Sequence, residues 1–583
     1  MELNFKKVIN ELYCIIKEPM DISFKYIAID NYKKALDIKE SSFSQYYIKV
    51  LKDRKNKGVV YTPKPIADYM IKNLVDKKEI INNPFLKILD PSCGCGNIII
   101  PTIEYLLEIY LENLDLINTK NDLKLTKYSI IEHILTNNVY GYDIDEYSIK
   151  ILIIDIFQLY GVLNLGNFKV TDFLIDDIDI RFDFIIGNPP YIGHKTIERE
   201  YFNLLKNKYG SIYRDKSDIS YCFFQKGLKV INKMGKITFI TSRYFMESLS
   251  GSDLRKILKE YCSIYRIIDF YGIRPFKNIG IDPVIIFFVN SSDAVEYINV
   301  IKPKINVGSK NINFYNSVFL NEGKEYNEFT INKNLLNNKG WMLKDEKERE
   351  IIRKIEEKSI TNLANICYSY QGIISGLDKA FVVDEEIIKD NKLEKDIIMP
   401  WIKSTSIEKN KVNSTGKYII YTDKIEDKSL YPNCLKYIAQ HKEKLMNRRE
   451  CKFGKRKWYE LQWGRKEFIF QEEKIVFPYK SKNNRFSLDK GKCFSADVYA
   501  LSLKEDVAIN YDYLLFLLNS KVYEFYFKCF TKKLGEDMYE YYPNNLMKLC
   551  IPINEFSDFS DENDLNQFFG FGDEEIEIIN NSI

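Results

Sequence analysis

The chain has 583 residues, 45% of them apolar, which is too many for one hydrophobic core, so two to four domains of about 100–200 residues each are expected. Lys plus Arg (85) barely exceeds Asp plus Glu (82), so net charge by itself announces no polyanionic partner. No apolar run approaches the ~20 residues of a membrane span, and MELNFKKVINELY lacks a signal-peptide core, so a cytoplasmic protein without membrane attachment is expected.

Residues 1–57 read as a helical segment, with Phe5, Val8, Ile9, Leu12, Ile15 and Ile16 near a 3.6 period, closed by the polar knot KDRKNKG (52–58). From 58 to 300, short apolar strands alternate with helices: KILD (87–90), VYGYD (139–143), FKV (168–170), FDFIIG (182–187), KITFIT (236–241), YRIIDF (265–270) and PVIIFFV (283–289). Helical patterns lie between them at Pro65–Val75, Ile99–Asn113, Glu146–Tyr160 and Tyr221–Asn232. This alternation predicts an α/β domain with a largely parallel sheet covered on both faces. From 301 to 583 the pattern turns to short strands (FVV, KYIIYT, KIVFPYK), polar turns and one helical stretch at 511–528, a mixed α+β unit.

In an open α/β sheet, ligands bind beyond the carboxyl ends of the strands. Four candidates stand there in order. ILDPSCGCGNI (88–98) is a strand, the acidic Asp90 and a Gly94-x-Gly96 turn, which lets a ligand approach backbone but is as often plain turn chemistry. VYGYDID ends a strand on Asp143, a carboxylate able to accept both hydroxyls of a ribose, too far from Gly96 for a nicotinamide fingerprint. VTDFL ends another on Asp172, a candidate acceptor for an adenine amino group or a turn cap. The fourth, Asn188-Pro189-Pro190-Tyr191, follows a buried strand with two fixed φ angles and two missing donors, a stiff presentation of an amide and a ring.

Taken together, this order resembles the S-adenosylmethionine-dependent amino-methyltransferases, and within them the gamma-class N6-adenine DNA methyltransferases. GVVYTPKPIADYM (58–70) is similar to the family's first motif, implying Tyr61, Thr62 and Pro63 at the methionine end of the cofactor. DPSCGCG is similar to its Gly-rich motif, with Ser92 and Cys95 where many relatives carry other small residues. The resemblance implies S-adenosylmethionine bound by Asp90, Gly94, Gly96, Asp143 and Asp172, and catalysis by Asn188, Pro189, Pro190 and Tyr191. The Asn188 side-chain oxygen and the Pro189 carbonyl would accept the two N–H bonds of an adenine amino group and aim its lone pair at the methyl. The base must be flipped from a duplex, with Tyr191 stacking on one face and Phe276, in RPFKNIG, on the other. The near absence of histidine (His133, His194, His441) suits a reaction that requires no metal, and eleven scattered cysteines suit reduced core thiols.

The second half is similar to target-recognition domains of single-chain restriction–modification enzymes, at SYQGIISGLDKAFVV (369–383), KWYELQWGR (457–465), KIVFPYKS (474–481) and LLNSKVYEFYF (517–527). RYFMESLSG (243–251), GNPPYIGHK (187–195) and NRRECKFGKRKWYELQWGR (447–465) further resemble clostridial orphan adenine methyltransferases. Between His441 and Lys482 thirteen Lys and Arg face six Glu, which makes Arg448, Arg449, Lys452, Lys455, Arg456, Lys457, Trp458 and Arg465 candidates for contact with double-stranded DNA, or else a solvated charged face. From Asn554 the tail carries nine acids and no Lys or Arg, and either stays disordered or docks elsewhere on the protein. Only 57 residues precede the first motif, with no Pro-Asp…Glu-x-Lys constellation, so no cleavage activity is expected; a monomer is. Two other readings stay open: an NPPY methyltransferase acting on RNA or a protein glutamine amide, and a DNA-binding specificity subunit whose methyltransferase half is inactive.

Overall fold

The computed structural model describes residues 2–51, 60–193, 197–214, 216–276, 280–304, 312–338, 340–534, 538–553, 559 and 561–583. Gly58 and Val59 of the first motif, the 52–58 knot and His194 therefore lie outside the described residues. The chain divides into two compact units, Met1–Leu343 and Lys344–Ile583.

The first unit is built on a nine-stranded sheet. Its strands are β1 (Ile88–Asp90), β2 (Val139–Asp143), β3 (Phe168–Val170), β4 (Phe182–Gly187), β5 (Ile231–Ser242), β6 (Ser263–Asp269), β7 (Pro283–Val289), β8 (Tyr297–Pro303) and β9 (Tyr326–Asn332), in the order β3-β2-β1-β4-β5-β7-β6-β8-β9. β3, β2, β1, β4 and β5 run parallel, whereas β7 pairs antiparallel with β5 and β6, and β9 antiparallel with β8. The strand order reverses between β1 and β4, so a crevice opens beyond Asp90 and Gly187, the position where open α/β sheets hold ligands. Both faces are covered, and this is why β7 and the 184–187 part of β4 read as unbroken apolar runs: Phe184, Ile186, Ile285 and Phe287 face one core while Ile185, Val284, Ile286 and Phe288 face the other. Each fully buried side chain of this size contributes about 1.5–3 kcal/mol of apolar burial.

Three helices precede the sheet: α1 (Glu2–Lys17), α2 (Ile22–Ala35) and α3 (Phe43–Val50). Phe5, Ile9, Leu12 and Ile16 of α1 form one buried face that packs with Ile151, Ile154 and Phe157 of the helix Glu146–Tyr160. The buried carboxyl of Asp155 on that helix accepts from the backbone N–H groups of Phe43 (2.9 Å) and Ser44 (3.0 Å) and so caps α3 from across the interface. α4 (Lys64–Leu74) follows Pro63 and buries Ile66, Ala67, Met70, Ile71 and Leu74.

The division falls at Leu343 rather than near residue 300, because β8 and β9 add two more strands to the first sheet. β9 is an edge strand in which only Ile331 is buried, so YNEFTIN carries no alternation that would mark it as sheet. The sheet is accordingly mixed in its β5–β9 part, while five of its eight pairings, including those at the crevice, are parallel as expected.

The second unit carries two four-stranded sheets. One is antiparallel, from Cys367–Gln371, Val498–Leu503, Lys474–Pro478 and Ser487–Asp489; the other joins Val382–Asp384, Lys417–Ile420, Ile398–Ile402 and Cys493–Phe494. The helical stretch 511–528 is two helices, Tyr511–Asn519 and Lys521–Phe530, broken at Ser520, whose hydroxyl accepts from Tyr523 N at 3.1 Å to cap the second. The described part of the acidic tail is docked: Leu565, Phe569 and Ile579 are buried, and Glu575 pairs with Lys354 of the helix Glu346–Glu357 at 2.7 Å.

Candidate active site and basic surface

β4 ends on Gly187 because a side chain there would meet Pro91 Cδ at 3.1 Å and Asp90 Oδ1 at 3.2 Å, and Asn188 follows directly into the crevice. Its side-chain nitrogen donates to the carbonyl of Val60 (3.0 Å) and the hydroxyl of Thr62 (3.1 Å). A backbone carbonyl only accepts, so the NH₂ end must face Val60, and the opposite end of the amide is fixed as oxygen. That oxygen, Oδ1, is buried and has no hydrogen-bond partner. An orphaned buried acceptor costs about 1–3 kcal/mol, which marks the position as built to receive a donor. The backbone carbonyl of Asn188 accepts from the Ser92 hydroxyl at 3.3 Å, tying the end of β4 to the Gly-rich turn after β1. Pro189 is buried and Pro190 half-buried.

The residues 60–63 thus reach the site through Thr62, which is buried, while Tyr61 is half-buried beside it and Pro63 leads into α4, its carbonyl accepting from Ile66 and Ala67. The Gly-rich turn is shaped by two different needs. Gly94 sits at φ +50° with nothing within 4 Å of where a Cβ would be, so it leaves open space; Gly96 (φ +92°) makes room for Leu152, whose Cδ1 would lie 2.3 Å from a Cβ. Gly94 N–H donates to Asp143 Oδ2 at 2.8 Å, and Asp145 N–H to Asp143 Oδ1 at 2.8 Å, so this carboxylate is fixed on both oxygens. Burial pushes Asp143 up to about 6 and Asp90 up to about 8, the nearby Asp143 adding to the effect at Asp90. The buried Asp90 carboxyl and the half-buried Asp143 carboxyl beside an open glycine turn favour a cationic ligand. Burial also raises the thiols of Cys93 and Cys95 well above the ordinary range, so both remain protonated core groups.

Asp172 is more committed than the sequence suggests. Its Oδ1 accepts from Leu174 N (2.9 Å) and Ile175 N (3.2 Å), and its Oδ2 from the Tyr201 hydroxyl (2.9 Å). The turn-cap role is realised, and about one of the four lone-pair directions remains for a ligand. Tyr191 is buried and donates its hydroxyl to Ile240 O at 3.2 Å, so the ring is anchored at its far end. Phe276, also buried, lies with its ring centroid 6.4 Å from that of Tyr191, inclined at 46°. An aromatic base sandwiched between two rings needs about 7 Å, so the two rings rest on each other and must part to admit one.

Next to this pair is a buried charge cluster that sequence reasoning singled out only by resemblance. Arg243 donates through Nε to Asp269 Oδ1 (2.9 Å), through Nη2 to Asp269 Oδ2 (3.1 Å) and through Nη1 to Glu247. Burial would raise Asp269, but Arg243 and Lys302 outweigh it and hold the carboxylate below its ordinary range.

In the second unit the basic segment separates into two groups. Arg449, Lys452, Lys455 and Lys457 are exposed, with Arg449 5.7 Å from the exposed Phe453 ring. Arg448 turns inward: its guanidinium donates to the carbonyls of Ser375, Lys457, Trp458 and Glu460, and its Nε to Leu445 O. Arg465 likewise donates to Gly372 O and Gln371 Oε1, and Arg456 pairs with Asp423 at 3.2 Å. Arg448 and Arg465 thus each tie the 371–375 segment to their own stretch of chain, and Arg456 holds Asp423, each with part of its guanidinium. Trp458 is half-buried against Tyr459, and Trp463 is 41% exposed.

Residues 137–276 match the Eco57I restriction-modification methylase family, and residues 399–553 the TaqI-like C-terminal specificity domain. The chain is 24% identical over 521 residues to the type II methyltransferase M.BstVI of Geobacillus stearothermophilus, covering 85% of this chain and 90% of that one. It is 25% identical over 489 residues to the type II methyltransferase M.HindII of Haemophilus influenzae, covering 80% and 83%. Among solved structures it is similar to the type IIL restriction-modification enzyme MmeI in complex with DNA, with a TM-score of 0.61 and 17% identity over 91% of this chain and 74% of that one. One segment of the chain is thus similar to Eco57I restriction-modification methylases and a second to TaqI-like C-terminal specificity domains.

Proposed function

We propose that the protein is a site-specific DNA methyltransferase that moves a methyl group from S-adenosylmethionine to the N6 amino group of an adenine flipped out of double-stranded DNA. The single observation that carries the reading is the orphaned Oδ1 of Asn188, held toward the crevice by Val60 and Thr62. With the Pro189 carbonyl it offers two acceptors to the two N–H bonds of an amino group, which draws the nitrogen lone pair out of the ring. The type II methyltransferases to which the chain is similar support methyl transfer within a restriction-modification system, and the choice of adenine N6 rests on the motif order ending in Asn188-Pro189-Pro190-Tyr191.

The cofactor pocket is read from its donors. Asp143 would accept the ribose hydroxyls, Asp172 an adenine amino hydrogen, and the Gly94 turn and the Asp90 carboxyl would face the methionine end, with Tyr61, Thr62 and Pro63 opposite. S-adenosylmethionine supplies the methyl on a sulfonium, so its departure leaves a neutral thioether. The positive charge of the sulfonium and ammonium suits the Asp90 and Asp143 carboxyls. Tyr191 and Phe276 would stack on the flipped base. The exposed Arg449, Lys452, Lys455 and Lys457 would contact phosphates.

The test is to incubate pure protein and Asn188→Ala with labelled S-adenosylmethionine and unmethylated genomic DNA, then map modified bases by single-molecule sequencing. N6-methyladenine at one short motif, absent with the variant, is expected. Label in RNA or protein but not DNA would overturn the DNA substrate while keeping the chemistry of Asn188; no binding of cofactor would revive an inactive specificity subunit.

A further inference from the structure

Between β6 and β7 the chain leaves the sheet at Asp269 and returns at Pro283, and the excursion carries Phe276 to the ring of Tyr191. Both ends of this excursion are held by one residue. Arg243 directly follows β5, the strand on the far side of β7, and its side chain crosses the start of β7 to take both carboxylate oxygens of Asp269, at 2.9 and 3.1 Å. Its backbone N–H donates to the carbonyl of Asp282 at 2.9 Å. The return is fastened a second time by Arg274 Nε to Asp282 Oδ1 at 2.7 Å. At the departing end, Asp269 Oδ1 also accepts the N–H of Tyr271 at 2.9 Å, holding that residue at φ +43°, a conformation unfavourable for a tyrosine. The Tyr271 ring lies 4.2 Å from Lys302 Nζ and 5.4 Å from the Arg243 guanidinium. A fully desolvated bidentate pair and a strained residue at the root of a loop are costly features, retained where they fix a geometry.

We propose that Arg243 is a positioning residue: by clasping Asp269 and the Asp282 backbone it sets the departure and return of this loop, and so the place of Phe276 against Tyr191. As a role in target-base capture the inference rests on the function proposed above; as a statement about the loop it does not. Arginine is required because only its planar fork reaches two carboxylate oxygens at once, and lysine keeps the charge without the fork.

The experiment uses a Phe276→Trp reporter in the full chain, with the spectrum of the four native tryptophans subtracted from the parent protein. In the reporter alone the indole should emit at short wavelength and resist acrylamide quenching. Adding Arg243→Lys or Asp269→Asn should shift emission to the red and raise the quenching constant about twofold or more, with far-UV circular dichroism unchanged. In the otherwise unaltered enzyme, Arg243→Lys should lower kcat for DNA about tenfold or more while cofactor Kd stays within about twofold. An indole equally protected with and without Arg243→Lys and Asp269→Asn would overturn the clasp. Loosening without any loss of kcat would overturn its role in positioning. Should the parent protein methylate no DNA, the fluorescence result still decides the clasp, and the failure falls on the proposed reaction. Because Arg243→Met leaves Asp269 buried without its partner and can unfold the chain, the conservative variants carry the test.

Discussion

The hydroxyl of Thr62 lies 3.1 Å from the side-chain nitrogen of Asn188, and with the Val60 carbonyl it decides which end of that amide faces the crevice. Thr62→Val keeps the shape and removes the acceptor. One hydrogen bond to the amide then remains, and the orientation loosens. The expected outcome is a fall of about tenfold in kcat with cofactor affinity within about threefold, since only the acceptor geometry changes. Asn188→Ala should cost about 10²–10³ in kcat, the loss of a preorganised partner. Steady-state methyl transfer together with calorimetric cofactor binding checks both; a Thr62→Val protein that loses cofactor affinity at full kcat would assign Thr62 to the cofactor instead.

A second expectation concerns pH. Burial raises Asp90 to about 8, and Asp143, Asp155 and Asp218 to about 6, from 3.8 in the free side chain. A folded-state pKa above the unfolded one means that the native protein binds more protons through that window. The contribution is therefore fully present below about pH 4 and is lost as pH rises through 6 and then 8. Thermal unfolding of the ligand-free protein should show Tm declining across this range, apart from whatever other groups add. Asp90→Asn keeps an acceptor for the Ser92 N–H, now at 3.1 Å, and removes the buried charge. It should flatten the pH 6–8 part of the curve and gain on the order of 1–3 kcal/mol at pH 8. An unchanged slope in the variant would place the burden elsewhere.

A third expectation tests the docking of the N-terminal helices. Asp155→Ala removes the acceptor of two buried N–H groups at the start of α3. The cost should be about 1–3 kcal/mol, read as a lower urea midpoint, and hydrogen exchange should rise first at Phe43 and Ser44. Uniform loosening of the whole first unit, with no early exchange at α3, would count against a local cap.

How far the sequence carried is clearest at β4. FIIG (184–187) is an unbroken apolar run because both faces of the strand are covered, and NPPY breaks it where the sheet order reverses, so the position of Asn188 was legible from local pattern alone. The partner that fixes its amide was not, because Thr62 lies 126 residues away and its hydroxyl has no local signature. The same limit explains Asp172, whose third hydrogen bond comes from Tyr201, whereas the edge strand β9 was missed because only Ile331 of it is buried. The Arg243 pair joins ends of two strands that are neighbours of β7 but not of each other, a relation set by topology rather than by spacing.

The basic segment yields the last expectation, because composition treats alike two groups of cations that the fold separates. Arg448 donates to five backbone carbonyls, from Ser375 to Glu460, so most of its guanidinium is engaged within the protein. Removing it leaves partly buried carbonyls unpaired, so Arg448→Ala should lower the stability of the second unit by about 2–4 kcal/mol. DNA binding should then fall because the 457–465 segment loosens, with little change in the salt dependence of what binding remains. Lys452→Ala and Lys455→Ala, both exposed, should leave Tm within about 1 °C and reduce the slope of log K against log[salt] by about 1 each. Fluorescence anisotropy with duplex DNA over a salt series, paired with thermal unfolding, separates the two. A salt slope that drops on Arg448→Ala at unchanged Tm would mean that its guanidinium leaves the carbonyls and meets the DNA backbone.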